Sequence, residues 1–257
     1  MAFRKNIDYL GTLSAILCVE FLTLSVLMLP LRAQPLEISL TFPPPTERGA
    51  PARTVGGGQR GDDEPCGDDE PCVKGRIPLA ALTPTNNVGT TVSANPTLFW
   101  YVPQTKAKSA EFGLFDDRGN QVYVTTLALN GTPGVVKLSL PPTVSLQKGK
   151  HYDWTFMLVC DPENLGGGPS VQGWLERTEL SSAQKNKLAR TKDPLKRAEV
   201  YAKAGVWQET LAIVAKLHYD RPNDSKITKE WKELLKSVDL EEAIANASVV
   251  NCCTADK

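Results

Sequence analysis

Apolar and polar residues alternate in short runs between residues 76 and 180, which predicts β-strands. Residues 96–103 form an apolar and aromatic run with a proline at each end, as expected for a buried strand. Residues 151–160 place apolar side chains on one strand face by strict alternation. These runs, with no helical period between them, predict an antiparallel β-sandwich. The further strands are predicted at residues 110–115, 121–129, 135–140 and 171–180.

One local pattern narrows the predicted sandwich to an immunoglobulin-like type. Leu146, Gly149 and Tyr152 have the spacing Leu-x-x-Gly-x-x-Tyr. This spacing resembles the entry to the penultimate strand of immunoglobulin-like and fibronectin-like domains, where a tyrosine hydroxyl bonds back to the preceding turn. We therefore expect the Tyr152 hydroxyl to bond to the turn before its strand.

The apolar period lengthens to 3.6 residues after residue 181, which predicts a helical cap over residues 181–246. Asp193 as the N-cap and Pro194 at the first helical position begin a helix that ends near residue 203. Two more helices are predicted over residues 206–217 and 226–238. The fold class is therefore α+β, with a sandwich followed by a small helical part.

The helical cap resembles one tetratricopeptide unit. Its matching positions are first-helix packing residues, the inter-helix turn and re-entry, and a closing proline, namely Ala198, Tyr201, Gly205, Trp207 and Pro222. It departs from that repeat at Arg197 and Thr210. A single unit is too small for a free-standing solenoid, so we expect it to dock on the sandwich or on a partner.

The N-terminal 33 residues predict a signal peptide. Arg4 and Lys5 give a cationic start, and apolar runs follow up to a cleavage position after Ala33. The alternative is a retained signal anchor, which Glu20 disfavours because a charge near the centre of a membrane helix is costly. We expect export to the periplasm, cell envelope or exterior, with membrane contact only through an uncleaved signal.

Residues 34–75 predict an arm or linker, because proline and glycine are frequent there and apolar side chains are sparse. Residues 247–257 form a C-terminal tail that carries a cysteine pair. The chain thus divides into a signal, an arm, a sandwich over residues 76–180, a cap and a tail.

The charge balance argues against a nucleic-acid partner, because 29 basic residues offset 29 acidic ones. Histidine catalysis could use only His151 or His218, and no cofactor fingerprint is present. We predict no catalytic residue, no cofactor and no enzymatic activity. Paired carboxylates leave a glycoside-hydrolase alternative open, the candidates being Asp161, Glu163, Glu176 and Glu179.

Three tryptophans of the predicted strands are considered as stacking residues of a sugar-binding site. Trp100 and Trp154 are expected in the core, because each lies on a strand among apolar neighbours. Trp174 shares its predicted strand face with Gln172 and Glu176. It is therefore the candidate ligand contact.

The hexapeptide Gly-Asp-Asp-Glu-Pro-Cys occurs twice, over residues 61–72. Its acids come in adjacent triplets, whereas an EF-hand loop needs alternate ligands. Its two cysteines lack the close spacing of a zinc site. We therefore predict no metal site. The remaining calcium candidates are Asp62, Asp63, Asp68 and Asp69.

The cysteines that remain after signal removal are disulfide candidates, as expected in an exported protein. They are Cys66, Cys72, Cys160, Cys252 and Cys253. Adjacent Cys252 and Cys253 rarely bond to each other because the ring is strained. The sequence favours one of this pair bonding to the arm and the other to Cys160, and it leaves open whether Cys66 or Cys72 is the arm cysteine.

Several short motifs occur together in this sequence, and their combination is more specific than any one of them. They are Thr-Phe-Pro-Pro-Pro at 41–45 with Arg-Gly-Ala-Pro at 48–51, Pro-Thr-Leu-Phe-Trp-Tyr-Val-Pro at 96–103, Val-Cys-Asp-Pro at 159–162, Gly-Trp at 173–174 and Cys-Cys at 252–253. Together they resemble a cyanobacterial family of exported proteins with a domain of unknown function. The resemblance implies an extracytoplasmic protein and no particular reaction. The doubled hexapeptide departs from the family pattern, which has one cysteine after the arm.

These features favour a non-enzymatic protein-interaction or assembly module of the cell envelope, with an envelope protein as its partner. The first alternative is a carbohydrate-binding or cell-wall-binding module that uses Trp174. The second is a hydrolase of the glycosidase type.

Overall fold

The structure is a computed structural model that describes residues 40–44, 72–86, 88–161 and 168–250. These residues belong to one compact unit that begins at Ile38. Its strands are β1 (Val73–Lys74), β2 (Ala80–Ala81), β3 (Val88–Thr91), β4 (Thr97–Val102), β5 (Gln104–Thr105), β6 (Ser109–Asp116), β7 (Gln121–Ala128), β8 (Gly134–Ser139), β9 (His151–Val159) and β10 (Ser170–Arg177).

The strands form two facing sheets and a small ribbon. The larger sheet has the order β3-β10-β9-β6-β7, the smaller sheet has the order β2-β4-β8, and β1 pairs with β5. The predicted antiparallel pairing is wrong for one pair, because β3 runs parallel to β10. Parallel neighbours need a long connection, and nearly the whole sandwich separates these two strands in the sequence. Local alternation carries no information on that pairing.

Aromatic and aliphatic side chains fill the space between the two sheets. Trp100 and Trp154, predicted as core residues, are each 1% exposed. Trp100 also stacks on Phe156, with ring centroids 4.4 Å apart. At the margin of this core the backbone N–H of Gln147 donates to the Tyr152 hydroxyl over 2.8 Å. The predicted bond between Tyr152 and the preceding turn is therefore confirmed.

The helices follow the sandwich. They are α1 (Ser182–Arg190), α2 (Pro194–Lys203), α3 (Trp207–Asp220), α4 (Ser225–Lys236) and α5 (Glu242–Ala245). Asp193 caps α2 by accepting from the N–H of Lys196 over 2.9 Å, as the sequence predicts. The sequence pattern did not predict α1 as a separate helix. Leu188 is its one buried residue, and a helix with so little apolar surface has a weak hydrophobic period.

The helices cover the smaller sheet on the face turned away from the larger sheet. Phe99 and Tyr101 of β4 point toward the helices and share a core with Trp207, Leu211 and Trp231. The alternate residues of β4 point into the sandwich. Since β4 is buried on both faces, its sequence is apolar at nearly every position rather than at every second one.

Polar contacts fix the start of α3 to both sheets and their loops. The Trp207 indole N–H donates to the carbonyl of Leu82 over 2.8 Å, and its backbone N–H donates to the Thr90 hydroxyl over 2.9 Å. Glu209 accepts from the backbone N–H groups of Val92 and Ser93 over 3.1 and 2.9 Å. The carboxylate also lies in the first turn of α3, where a negative charge is favourable.

Residues 40–44 lie against the helices. Leu40 is 1% exposed, and its N–H donates to Glu230 Oε2 over 2.8 Å. Phe42 packs edge-on against Trp207 with ring centroids 5.0 Å apart, and its N–H donates to the Ser237 hydroxyl over 2.9 Å. This part of the predicted arm is therefore fixed to the protein by backbone bonds and by buried side chains.

Glu230 generates a prediction on stability. Burial raises the pKa of its carboxyl, and the bond from Leu40 opposes that shift only in part. A carboxyl with a raised pKa in the folded state stabilises the protein fully at low pH, and this contribution is lost as the pH rises through the raised pKa. Glu230→Gln keeps an acceptor and removes the charge. Its free energy of unfolding should therefore rise, relative to wild type, from acidic to neutral pH.

Urea unfolding at a series of pH values measures this difference. Glu242→Gln, which changes an exposed glutamate of α5, serves as the matched control and should show no such trend. Parallel pH profiles for the wild-type protein and Glu230→Gln would contradict the prediction.

Candidate functional site

A disulfide between Cys72 and Cys160 joins the end of the arm to the sandwich, with the Cα atoms 5.7 Å apart. Cys72 precedes β1, which pairs with β5, and its carbonyl accepts from the N–H of Lys106 over 3.0 Å. After β5 the chain continues into β6, whose first residue, Ser109, pairs with Val159 at the end of β9. The strand pairing thus places Cys72 beside Cys160.

This pairing corrects the favoured connectivity. The cysteine spacing favoured a bond from Cys160 to Cys252 or Cys253, but the structure pairs Cys160 with Cys72. The reason is that the ribbon of β1 and β5 fixes Cys72 beside the end of β9, a pairing that local spacing does not predict. The other cysteine candidates and the calcium candidates lie outside the described residues, and they are Cys66, Cys252, Cys253, Asp62, Asp63, Asp68 and Asp69.

Trp174 lies on the outward face of the larger sheet, opposite to the sandwich core. Its neighbours Gly173 and Leu175 are buried, so alternation turns Trp174 away from the core. It is partly buried rather than exposed, because its ring stacks on His151 with centroids 5.2 Å apart and an interplanar angle of 16°. His151 is exposed at the start of β9.

A second aromatic residue, Phe115, completes this surface, which we call the aromatic face (His151, Asp153, Trp174 and Phe115). Asp153 of β9 pairs with Trp174 on one side and with Phe115 of β6 on the other. The two aromatic residues are therefore two strand spacings apart, about 10 Å. Phe115 was not predicted as a site residue from the sequence, because only the register between β6 and β9 brings it beside Asp153.

Gly113 makes room for the Phe115 ring. A Cβ atom at Gly113 would lie 2.8 Å from Phe115 Cε2 and 3.2 Å from the Thr155 hydroxyl. The ring therefore lies over a strand position without a side chain.

A separate cleft lies between α3 and the smaller sheet, and we call it the α3 cleft. Its volume is about 350 Å³, within the range of small ligand sites. One wall is a stripe of α3 at helical spacing, and the other is the outer face of β4 and β8. The lining includes Phe99, Lys137, Ser139, Ala212 and Tyr219, with Val249 of the C-terminal segment.

Three titratable groups with shifted pKa values, Glu179, Glu230 and His218, are engaged in other contacts. Glu179 forms an ion pair with Lys148, which lowers the pKa of the glutamate, whereas a general acid needs a raised one. Glu230, with a raised pKa, bonds to the Leu40 N–H. His218 stacks on Trp231 with centroids 5.4 Å apart, and burial lowers its pKa.

Among the described residues, no group of three or more histidine, cysteine or acidic side chains is arranged to hold a metal ion. In the same ranges, no helix is both long and apolar enough to cross a membrane.

The fold and its surfaces define an α+β protein with two packed sheets and a helical layer. The family model for a Domain of Unknown Function (DUF928) matches residues 55–249, and the chain belongs to that family. The predicted resemblance to a family with a domain of unknown function is confirmed at this level. No curated protein matches the sequence.

Two solved structures are similar over part of the chain. CopC from Methylosinus trichosporium OB3b is 12% identical, with 40% of this chain and 97% of that chain covered and a TM-score of 0.26. A domain of a “putative cell surface protein” from Methanosarcina acetivorans is 18% identical, with 42% of this chain and 97% of that chain covered and a TM-score of 0.28.

The pairing of Cys72 with Cys160 can be tested directly. Cys72 and Cys160 are separated by 88 residues, and a cross-link over such a loop stabilises by about 4–5 kcal/mol in the chain-entropy model. Cys72→Ser and Cys160→Ser should each lose about that much stability in denaturant unfolding. Peptide mapping without reduction should find the Cys72–Cys160 link in the wild-type protein and in the matched control Cys66→Ser. A link from Cys160 to a tail cysteine would refute the pairing.

Proposed function

We propose that this chain is a non-enzymatic protein-interaction module of the cell envelope and that the α3 cleft holds an extended segment of a partner protein. The observation that carries the proposal is the position of the cleft beside the edge of β8, the last strand of the smaller sheet. A groove beside a strand edge offers both backbone bonds and a pocket for side chains.

The C-terminal segment already uses this edge. The N–H of Val135 donates to the carbonyl of Ser248 over 2.8 Å, and the N–H of Val250 donates to the carbonyl of Val135 over 2.9 Å. Because backbone groups alternate in direction along a strand, Lys137 and Ser139 turn their N–H and carbonyl groups toward the same side. A partner segment could therefore continue the pairing that the C-terminal segment begins.

The cleft also has features of a recognition pocket. Phe99 is buried in its wall, and Tyr219 stands at its rim with 46% of its surface exposed. Tyrosine is frequent among the residues that dominate binding energy at interfaces. The ion pair of Lys216 with Asp220 over 2.7 Å adds a polar rim around an apolar centre, as interfaces commonly have.

The envelope location is supported by two features. The Cys72–Cys160 bond is of the type that persists in oxidising compartments outside the cytoplasm, and residues 1–33 have the composition of an export signal. An immunoglobulin-like type of sandwich and a tetratricopeptide-like unit in α2 and α3 fit the proposal at the level of fold, because both types are common in recognition.

A photocrosslinking amino acid at position 219 tests the cleft in cells that make the protein natively. We expect one discrete protein adduct. Ala212→Trp, which fills the cleft from α3, should reduce its yield about tenfold or more, because the partner segment loses its pocket. A crosslinker at Lys187, exposed on α1, is the matched control. Equal adducts at both positions, or adducts that Ala212→Trp leaves unchanged, would contradict the proposal.

The aromatic face supports a second candidate function, a carbohydrate-binding or cell-wall-binding module. Trp174 and Phe115 flank Asp153 on the outward face of the larger sheet. Flat apolar rings beside a hydrogen-bonding carboxylate can bind the apolar and hydroxyl surfaces of sugar rings. The distance of about 10 Å between the two strands suits alternate sugar units of an extended chain.

Retention on insoluble cell-wall polysaccharide tests this second candidate. Trp174→Ala removes the larger ring and should weaken retention about tenfold, because stacking on aromatic rings contributes about 1 kcal/mol or more. Tyr219→Ala, at the exposed aromatic residue of the α3 cleft, is the matched control and should be retained like the wild-type protein. Equal retention of all three proteins would remove this candidate.

A further inference from the structure

The edge strand β7 differs from the other sheet edges in the described part of the chain. It is eight residues long and pairs with β6 on one side. The opposite edge, β3, has four residues, and its Thr90 hydroxyl is bonded to the start of α3. In the smaller sheet, β2 has two residues, and β8 has six, of which Val135 already pairs with the C-terminal segment. Long edges that remain open are sites of strand pairing.

The composition of β7 favours pairing with another strand. No charged side chain occurs from residue 119 to residue 136, a range that includes all of β7. Edge strands usually carry lysine, proline or another feature that prevents pairing. β7 has neither lysine nor proline, and its one irregularity, a bulge at Val122, leaves residues 123–128 in regular register with β6. Val124 is 46% exposed on the outward face. The strand is thus rich in valine and threonine, which favour sheets, and lacks the residues that oppose pairing.

The backbone of β7 presents a regular row of donors and acceptors at this edge. The N–H of Leu129 donates to the carbonyl of Lys108 over 2.8 Å, on the side of β6. By alternation, Val124, Thr126 and Ala128 turn their N–H and carbonyl groups the other way. An added strand would find them in antiparallel register.

We propose that β7 is a self-association edge that pairs in antiparallel fashion with β7 of a second copy of this chain. Antiparallel pairing of identical strands has two-fold symmetry, so each copy offers the same groups to the other. An uncharged strand brings no like charges together across that axis. The two larger sheets would then continue as one sheet through the dimer.

The expected association is weak. One pair of strands buries less surface than the interface of a stable complex, so the dimer belongs to the transient class. The surface is also separate from the α3 cleft, which is lined by α3, β4 and β8. Self-association therefore does not depend on the proposed partner of that cleft.

Analytical ultracentrifugation of the full mature chain over a wide range of concentrations tests the proposal. We expect a reversible monomer–dimer equilibrium. Val124→Lys should weaken it about tenfold, because it puts a lysine on each strand of the new pair, and lysine on an edge strand opposes pairing. Val124→Thr, which keeps a β-branched uncharged residue, should retain the wild-type constant. A wild-type protein that stays monomeric at every concentration, or a Val124→Lys protein that dimerises like wild type, would overturn the proposal.

Hydrogen exchange locates the contact on the same protein without mutation. At concentrations where about nine-tenths of the chains are paired, exchange of the Val124, Thr126 and Ala128 amides should slow about tenfold relative to dilute protein. The Leu127 amide, directed toward β6, is the internal control. If dimers form without this protection, or if a segment of the same chain protects β7 at all concentrations, self-association through β7 is refuted.

Discussion

The central constraint in this fold is that β4 is buried on both faces. Leu98, Trp100 and Val102 point into the sandwich, whereas Phe99 and Tyr101 point toward the helices. A strand of this composition cannot face water on either side without a large loss of hydrophobic stabilisation. The larger sheet and the helical layer are therefore both required to cover the two faces of β4.

Two attachments secure the chain around this layered core. Residues 40–44 bind the helices through backbone bonds to Glu230 and Ser237, and Cys72 is bonded to Cys160 at the end of β9. The first attachment buries the carboxyl group of Glu230, and the backbone N–H that bonds to it offsets part of the cost of that burial. The second is covalent. The chain is therefore anchored on the helical layer and again on the larger sheet.

The surfaces proposed for binding lie on different layers. The α3 cleft is formed between the helices and the smaller sheet, the aromatic face lies on the outward side of the larger sheet, and β7 is the end of that same sheet. Each can therefore be altered by substitution without removing the residues of the shared cores. This separation suits a protein whose function is recognition, since several contacts can be made at once.

The sequence by itself determined the elements whose causes are local. A continuous apolar run located β4, and short apolar or alternating runs located β6 to β10. Asp193 with Pro194 began α2, and the spacing up to Tyr152 predicted its hydrogen bond. Only the tertiary structure decided the parallel pairing of β3 with β10, the disulfide partner of Cys160 and the meeting of Phe115 with Trp174 around Asp153. These features join residues that are far apart in the chain. Strand register brings them together, and local sequence patterns do not determine that register.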